Sequence, residues 1–280
     1  MQRFTALFAM TLTLLLGSSA ALADERTTHR LEASRLVFET FNGISEQAIP
    51  DWLLERAYGI VVVPNVFEIA VFGGGRGGRG VLSVRNPDGS WSNPVFLTLA
   101  GGSFGFQWGM QMTDVVLVLM SRKSVEGISG GKVILGADAS VAAGPVGRTA
   151  SANTDVTLKA QVLSYSRSEG VFAGVALEGT VLSIDDGANA TAYGVSGILP
   201  SQILEGKLGT PPQAARDFTA ALTHAADRAA AAALAEAPAA TQPAAAPAAT
   251  PATPAAEPKS GSPAQTYPME DPQPGAPPPP

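Results

Sequence analysis

The spacing of apolar positions changes twice along this chain. Between residues 25 and 41, Leu31, Leu36, Val37 and Phe41 recur near helical spacing, with Arg30, Glu32, Arg35 and Glu39 between them. This predicts an amphipathic helix from about Glu25 to Phe41, ended by Asn42-Gly43. Pro50 forfeits no needed donor at a first helical turn, so a second helix is expected through Trp52, Leu53, Arg56 and Ala57. Gly59 is expected to cap it in the left-handed conformation. Beyond Gly59 the period shortens. Ile60–Val63, Phe67–Phe72, Gly80–Arg85, Val95–Ala100, Phe104–Met112 and Val115–Met120 read as strands. Pro64-Asn65, the Gly-Arg cluster after Phe72, Asn86-Pro87-Asp88-Gly89, Gly101-Gly102 and Thr113-Asp114 read as the breaks between them. After a short helix over Ser121 to Ser129, strands are expected at Lys132–Ala137, Ser140–Ala143, Asp155–Ser166 and Val171–Ile184. A closing helix is expected from roughly Pro211 to Ala235.

About nine short strands with helices gathered at both ends predict an α+β fold rather than alternating βαβ units. A Gly-rich, mostly antiparallel sheet of that length is expected to curl into a barrel- or sandwich-like form, flanked by N- and C-terminal helices.

The two ends of the chain read differently from its middle. Arg3, the apolar run Phe4–Leu16 and the small residues Ala21-Leu22-Ala23 predict a signal peptide over 1–23, cleaved after Ala23 or retained as an anchor. The chain has no Cys, hence neither a disulfide framework nor a lipid-accepting thiol, and a periplasmic or secreted location is expected. From Ala237 to Pro280 the chain is mostly Ala and Pro, which predicts a disordered tail acting as a spacer or as a ligand for a protein partner. What remains, 24–236, is one domain with a core over 57–193. From Ile60 to Ile184, nine Lys and Arg stand against eight Asp and Glu, a balance of +1 within a chain of net charge −6. A phosphate-tracking surface needs a clear basic excess, so nucleic acid is not expected as a partner.

Between Tyr58 and Tyr193 there is no His and no Cys, which removes most routes to nucleophilic or zinc chemistry. Gly75-Arg76-Gly77-Gly78-Arg79-Gly80 satisfies G-x-G-x-x-G, but the apolar run Val81–Val84 that follows is strand-like. A dinucleotide site needs a helix there. The expected form is a Gly-rich turn that brings Arg76 and Arg79 to one edge. The N–H groups of Gly75, Gly77 and Gly78 would be available there to an anion. Gly101-Gly102-Ser103-Phe104-Gly105 satisfies the G-x-S-x-G elbow, with His224 as the only base in chain order, and again strand-like residues follow where a helix is required. Asp114, Asp138, Asp185 and Asp186 have no partner spacing that suggests a metal, and none is expected. Phe104, Phe106, Trp108, Met110 and Met112 share one strand face, either as core or as the lining of an apolar groove.

These motifs carry a resemblance. Gly77-Gly-Arg-Gly80, Asn86-Pro-Asp-Gly-Ser-Trp91, Thr113-Asp114, Ser140–Arg148, Tyr165-Ser166 and Phe172–Gly179 stand in the order found in the SYLF domain, also described as the yeast-type actin-binding domain. The segment from Ala57 to Tyr193 resembles that family over half the chain. The resemblance implies a non-enzymatic lipid-binding module, with bacterial-type members exported. Eukaryotic members are associated with phosphoinositide membranes, and some with actin. It also implies membrane contact through the N-terminal helix, here through Arg26, Arg30 and Arg35. Asp24, Glu25, Glu32 and Glu39 balance those charges in this sequence. The functional expectation is an exported protein that holds phospholipid or a similar amphiphile, or docks on a membrane surface, without a cofactor. Arg76, Arg79, Arg122 and Lys123 would meet the headgroup. The rival expectations are a structural or envelope-stress interaction protein and a serine hydrolase using Ser103.

Overall fold

The Ile60-Val61-Val62-Val63 run has no polar face, so as a strand it must be covered on both sides. The computed structural model describes residues 24–43, 49–70, 74–103, 109–146, 159–168, 171–174 and 177–236, and in it this run lies at the centre of a sheet. β1 (Gly59–Ala70) pairs with β2 (Gly74–Val84) on one side and β4 (Gly109–Leu119) on the other. Beyond β2 lie β3 (Val95–Ser103), then β9 (Val181–Ile184) and β5 (Lys132–Ile134). Beyond β4 lie β7 (Val162–Ser168) and β6 (Val141–Ala143), with β8 (Val171–Gly174) also on β7. Every pairing is antiparallel except that of β6 with β7. The sheet curls as a half-barrel flanked by helices, an α+β architecture as expected.

Alternation along the strands feeds two cores. Ile60, Val62, Val81, Phe96, Val116 and Val118 face three helices: α1 (residues 24–43), α2 (Asp51–Arg56) and α6 (Gln213–Glu236). Leu31, Phe38 and Phe41 of α1 and Phe218 and Leu222 of α6 fill that side. Val61, Val63, Leu82, Leu97, Val115 and Leu117 face the other way, onto α3 (Arg122–Ser129) and β5. Two further helices were not anticipated from the sequence: α4 (Asp186–Tyr193) and α5 (Pro200–Leu204).

Several expected breaks are not breaks. β1 runs through Pro64-Asn65 as a bulge: the register with β4 shifts between Val63 and Val66, and Asn65 takes φ 48°. The Asn65 N–H donates to Asp114 Oδ1 at 3.0 Å, so Asp114 secures the bulge and β4 continues through Thr113-Asp114. The Gly-Arg cluster is strand rather than turn, the first half of β2. Its glycines give the bulge room: a Cβ on Gly80 would lie 2.1 Å from the Val62 carbonyl oxygen, and one on Gly77 would enter the Phe67 ring. Gly59 opens β1 and does not cap α2, whose last turn leads into extended backbone at Ala57. Val171–Ile184 is two strands, parted by a turn with Gly179 at φ 73°. Residues 159–161, expected in a strand, precede β7. The expected signal peptide and tail, together with Phe104, Phe106, Trp108 and Arg148, lie outside the described residues.

Candidate functional site

β2 decides where the predicted arginines go. Side chains three apart on a strand point to opposite faces, so Arg76 and Arg79 do not share an edge. Arg76 faces the α3 side, where its Nη2 lies 3.4 Å from Glu68 Oε1 and its stem passes Gly101. Arg79 faces the helix side. Gly75, Gly77 and Gly78, expected to offer their N–H groups to an anion, lie in the β2 ladder between β1 and β3.

On the helix side Arg79 meets α1. A groove of about 410 Å³ is lined by Glu25, Arg26, His29 and Arg30 from the first two turns of α1, by the Pro64-Asn65 bulge and by Arg79. Helical spacing puts Arg26 and Arg30 one turn apart on the same face, and Arg35 half a turn away from Arg26. Arg35 pairs with Glu39 on that remote face at 2.6 Å. Arg30 is anchored: it donates to Asp185 Oδ2 at 2.9 Å and lies 5.3 Å from the centroid of the Phe96 ring. Asp185, which reads as an ordinary turn acid in the sequence, thus ties α1 to α4, whose N-terminus it caps through the Ala188 N–H. Arg26 and Arg79 make no ion pair among the described residues, and His29 is exposed on the same wall.

Beside this groove the helix face of the sheet carries exposed apolar side chains. Phe67, Ile69 and Met112 share one face, Phe67 directly across from Met112, and are 47 %, 43 % and 64 % exposed. Met112 belongs to the stripe whose sequence reading was open between core and groove, and it is open to solvent. An apolar ledge this exposed beside a cationic groove fits an amphiphile with an anionic head.

Arg122 and Lys123 are elsewhere. They begin α3, just past Leu119, which aligns through Gly59 with Val84 at the far end of β2. Arg79 is five residues from that end, roughly 17 Å along the strand. Arg79 and the Arg122–Lys123 pair therefore lie on two separate surfaces. Ser103 is the last residue of β3, paired with Gly74, and strand resumes at Gly109. His224 is exposed on α6. Asp138 accepts the Ile134 N–H within a turn.

Residues 100–225 match a family model described as Ysc84, Las17-binding protein actin regulator. The chain is 36 % identical over 173 residues to Protein YSC84 of Saccharomyces cerevisiae, covering 61 % of this chain and 36 % of that protein. It is 36 % identical over 171 residues to LAS seventeen-binding protein 3 of the same yeast, covering 60 % of this chain and 37 % of the other. With the human SH3 domain-containing YSC84-like protein 1 it shares 35 % identity over 170 residues, 60 % of this chain and 49 % of that one. The chain thus spans between about a third and a half of the length of these relatives. The family-model match begins at Ala100, so Arg26 and Arg79 lie outside it. The Gly-rich strands, the Asn86–Trp91 hairpin and the Tyr165-Ser166 strand fit the same conclusion: the chain carries a SYLF-family domain.

Proposed function

We infer that this SYLF domain is a non-catalytic module that holds a phospholipid or similar amphiphile at the upper end of its helix face, in an exported protein. The observation that carries the reading is the adjacency of the exposed Phe67–Ile69–Met112 ledge to the groove between Arg79 and Arg26. The ledge takes the acyl portion, and the two guanidiniums take the anionic head. Arg30 positions α1 from beneath. Arg76, on the opposite face beside Glu68, has no part in it. Export rests on the pattern of residues 1–23.

Flotation of the full chain with phosphatidylglycerol vesicles tests the site. Each basic residue near an anionic surface contributes about 1 kcal/mol, so Arg26→Ala with Arg79→Ala should weaken partitioning by about 2 kcal/mol, roughly thirtyfold. Met112→Ser with Ile69→Ser should also weaken it. Arg76→Ala should float like the parent protein. Equal recovery of all variants would remove this groove from lipid binding.

A second reading is a protein-binding module, supported by the description of the matching family and the name of one yeast relative, both of which refer to binding Las17. The Ala/Pro-rich segment after residue 236 is its expected contact. Truncation there separates the readings, because vesicle flotation should survive it and capture of a protein partner should not.

A further inference from the structure

The opposite end of the sheet carries a second cationic surface that the lipid site does not use. Three arginines there each lie over a different aromatic ring: Arg56 over Trp52 at 5.9 Å, Arg85 over Trp91 at 4.8 Å and Arg122 over Tyr58 at 5.9 Å. They come from three elements. Arg56 closes α2, Arg85 is held opposite Trp91 by the Asn86–Gly89 turn, and Arg122 opens α3. A ring face attracts the guanidinium plane and leaves its N–H edge directed outward, the orientation that chelates a carboxylate in two-point fashion. Arg85 commits one N–H to the Leu54 carbonyl oxygen at 2.7 Å and so fixes the floor. Arg56 and Arg122 are exposed and make no ion pair among the described residues.

These two line a groove of about 500 Å³ together with Tyr58, Pro87 and Met120. A second groove of about 220 Å³ continues on the other side of Arg56 and Met120, as far as Lys159. Glu55 is the only carboxylate among the described residues of either wall. Lys123 lies beside Arg122 in the first turn of α3. Helix dipoles disfavour cations at that position, so no local preference accounts for two of them there. In a chain of net charge −6, this is a local basic excess lined along two grooves.

We propose that this surface docks an acidic polypeptide segment, whose carboxylates engage Arg56 and Arg122 while its backbone follows the two adjoining grooves past Met120. A flat bilayer fits less well. The surface is concave, and its tryptophans lie beneath guanidiniums instead of projecting as apolar anchors. Carboxylates on a narrow chain reach both arginines, and the proline and methionine walls accept its apolar stems.

The test measures fluorescence anisotropy of a fluorescein-labelled twelve-residue peptide of Glu, Asp, Pro and Leu with the full chain. The expected result is saturable binding that weakens with salt and falls about tenfold or more in Arg56→Glu/Arg122→Glu. Lys207→Glu reverses one charge at an exposed site that lines neither groove, and it should leave the affinity unchanged. The counterpart peptide with Gln and Asn should not bind. An Arg56→Gln/Arg122→Gln pair, with thermal melts matching the parent, keeps the answer independent of folding and of charge reversal. Absence of binding, or equal loss in Lys207→Glu, overturns the proposal. So does a double variant that loses flotation with phosphatidylglycerol vesicles while keeping its peptide affinity, which would assign the surface to membranes.

Discussion

Gly80 shows how much one missing methyl group can decide. Its place in β2 faces the Pro64-Asn65 bulge, and an added Cβ would lie 2.1 Å from a backbone oxygen and 2.8 Å from Val63. The carbonyl belongs to the central strand and cannot swing away as a flexible side chain would. Gly80→Ala should therefore destabilise the domain by roughly 2–3 kcal/mol, read as a lower urea midpoint at unchanged slope. A parent-like midpoint would mean that the bulge can relax. The glycines of this segment thus act mainly as spacers for β1. In the sequence their backbone freedom reads as a turn, because the close approach of a bulged neighbour leaves no local signal.

Among the elements, α1 and α4 are tied together by one carboxylate. Asp185 accepts the Ala188 N–H at the start of α4 with Oδ1 and the Arg30 guanidinium with Oδ2. Arg30 and Asp185 are 12 % and 23 % exposed, so the pair is only weakly screened. Asp185→Ala removes a helix cap, worth about 1 kcal/mol, and leaves the Arg30 charge over Phe96 without its acid. A total loss of about 2–3 kcal/mol is expected by urea denaturation, with Asp185→Asn losing less because it retains the cap. Equal loss in both would mean that the ion pair dominates. Because Arg30 also lines the groove beside Arg79, the Ala variant should weaken vesicle flotation as well, through a displaced α1.

At the scale of the whole molecule, two tyrosines set an alkaline limit. Tyr165 is buried in the helix-side core and its hydroxyl has no hydrogen-bond partner among the described residues; Tyr193 donates to the Pro94 carbonyl oxygen at 2.6 Å. Burial raises both pKa values above the ordinary 10. Below pH 10 both states keep these protons and stability is unaffected. As the pH rises past 10 the unfolded chain releases them first, so stability falls by up to about 1.4 kcal/mol per pH unit for each tyrosine. Denaturation midpoints between pH 9 and 12 should show this decline. Tyr165→Phe should halve the slope and cost little at pH 7, since it removes a hydroxyl that was buried without compensation. An unchanged slope would show that Tyr165 does not contribute.

The α+β class, the strand count and the SYLF membership were legible in the residues because each depends on local spacing: helical period in 25–41, extended period beyond Gly59, and motifs in a fixed order. Arg79 was also legible as a candidate. Its partner was not. A strand sends Arg76 and Arg79 to opposite faces once the segment is known to be a strand, and only the docking of α1 brings Arg26 to Arg79 across 53 residues of chain. The exposed Met112 and the stacked arginines at the far end belong to the same class of fact. Local sequence prescribes which backbone form a segment prefers, whereas the face that a helix covers, and therefore which charges meet and which apolar side chains stay bare, is settled only when distant elements pack together.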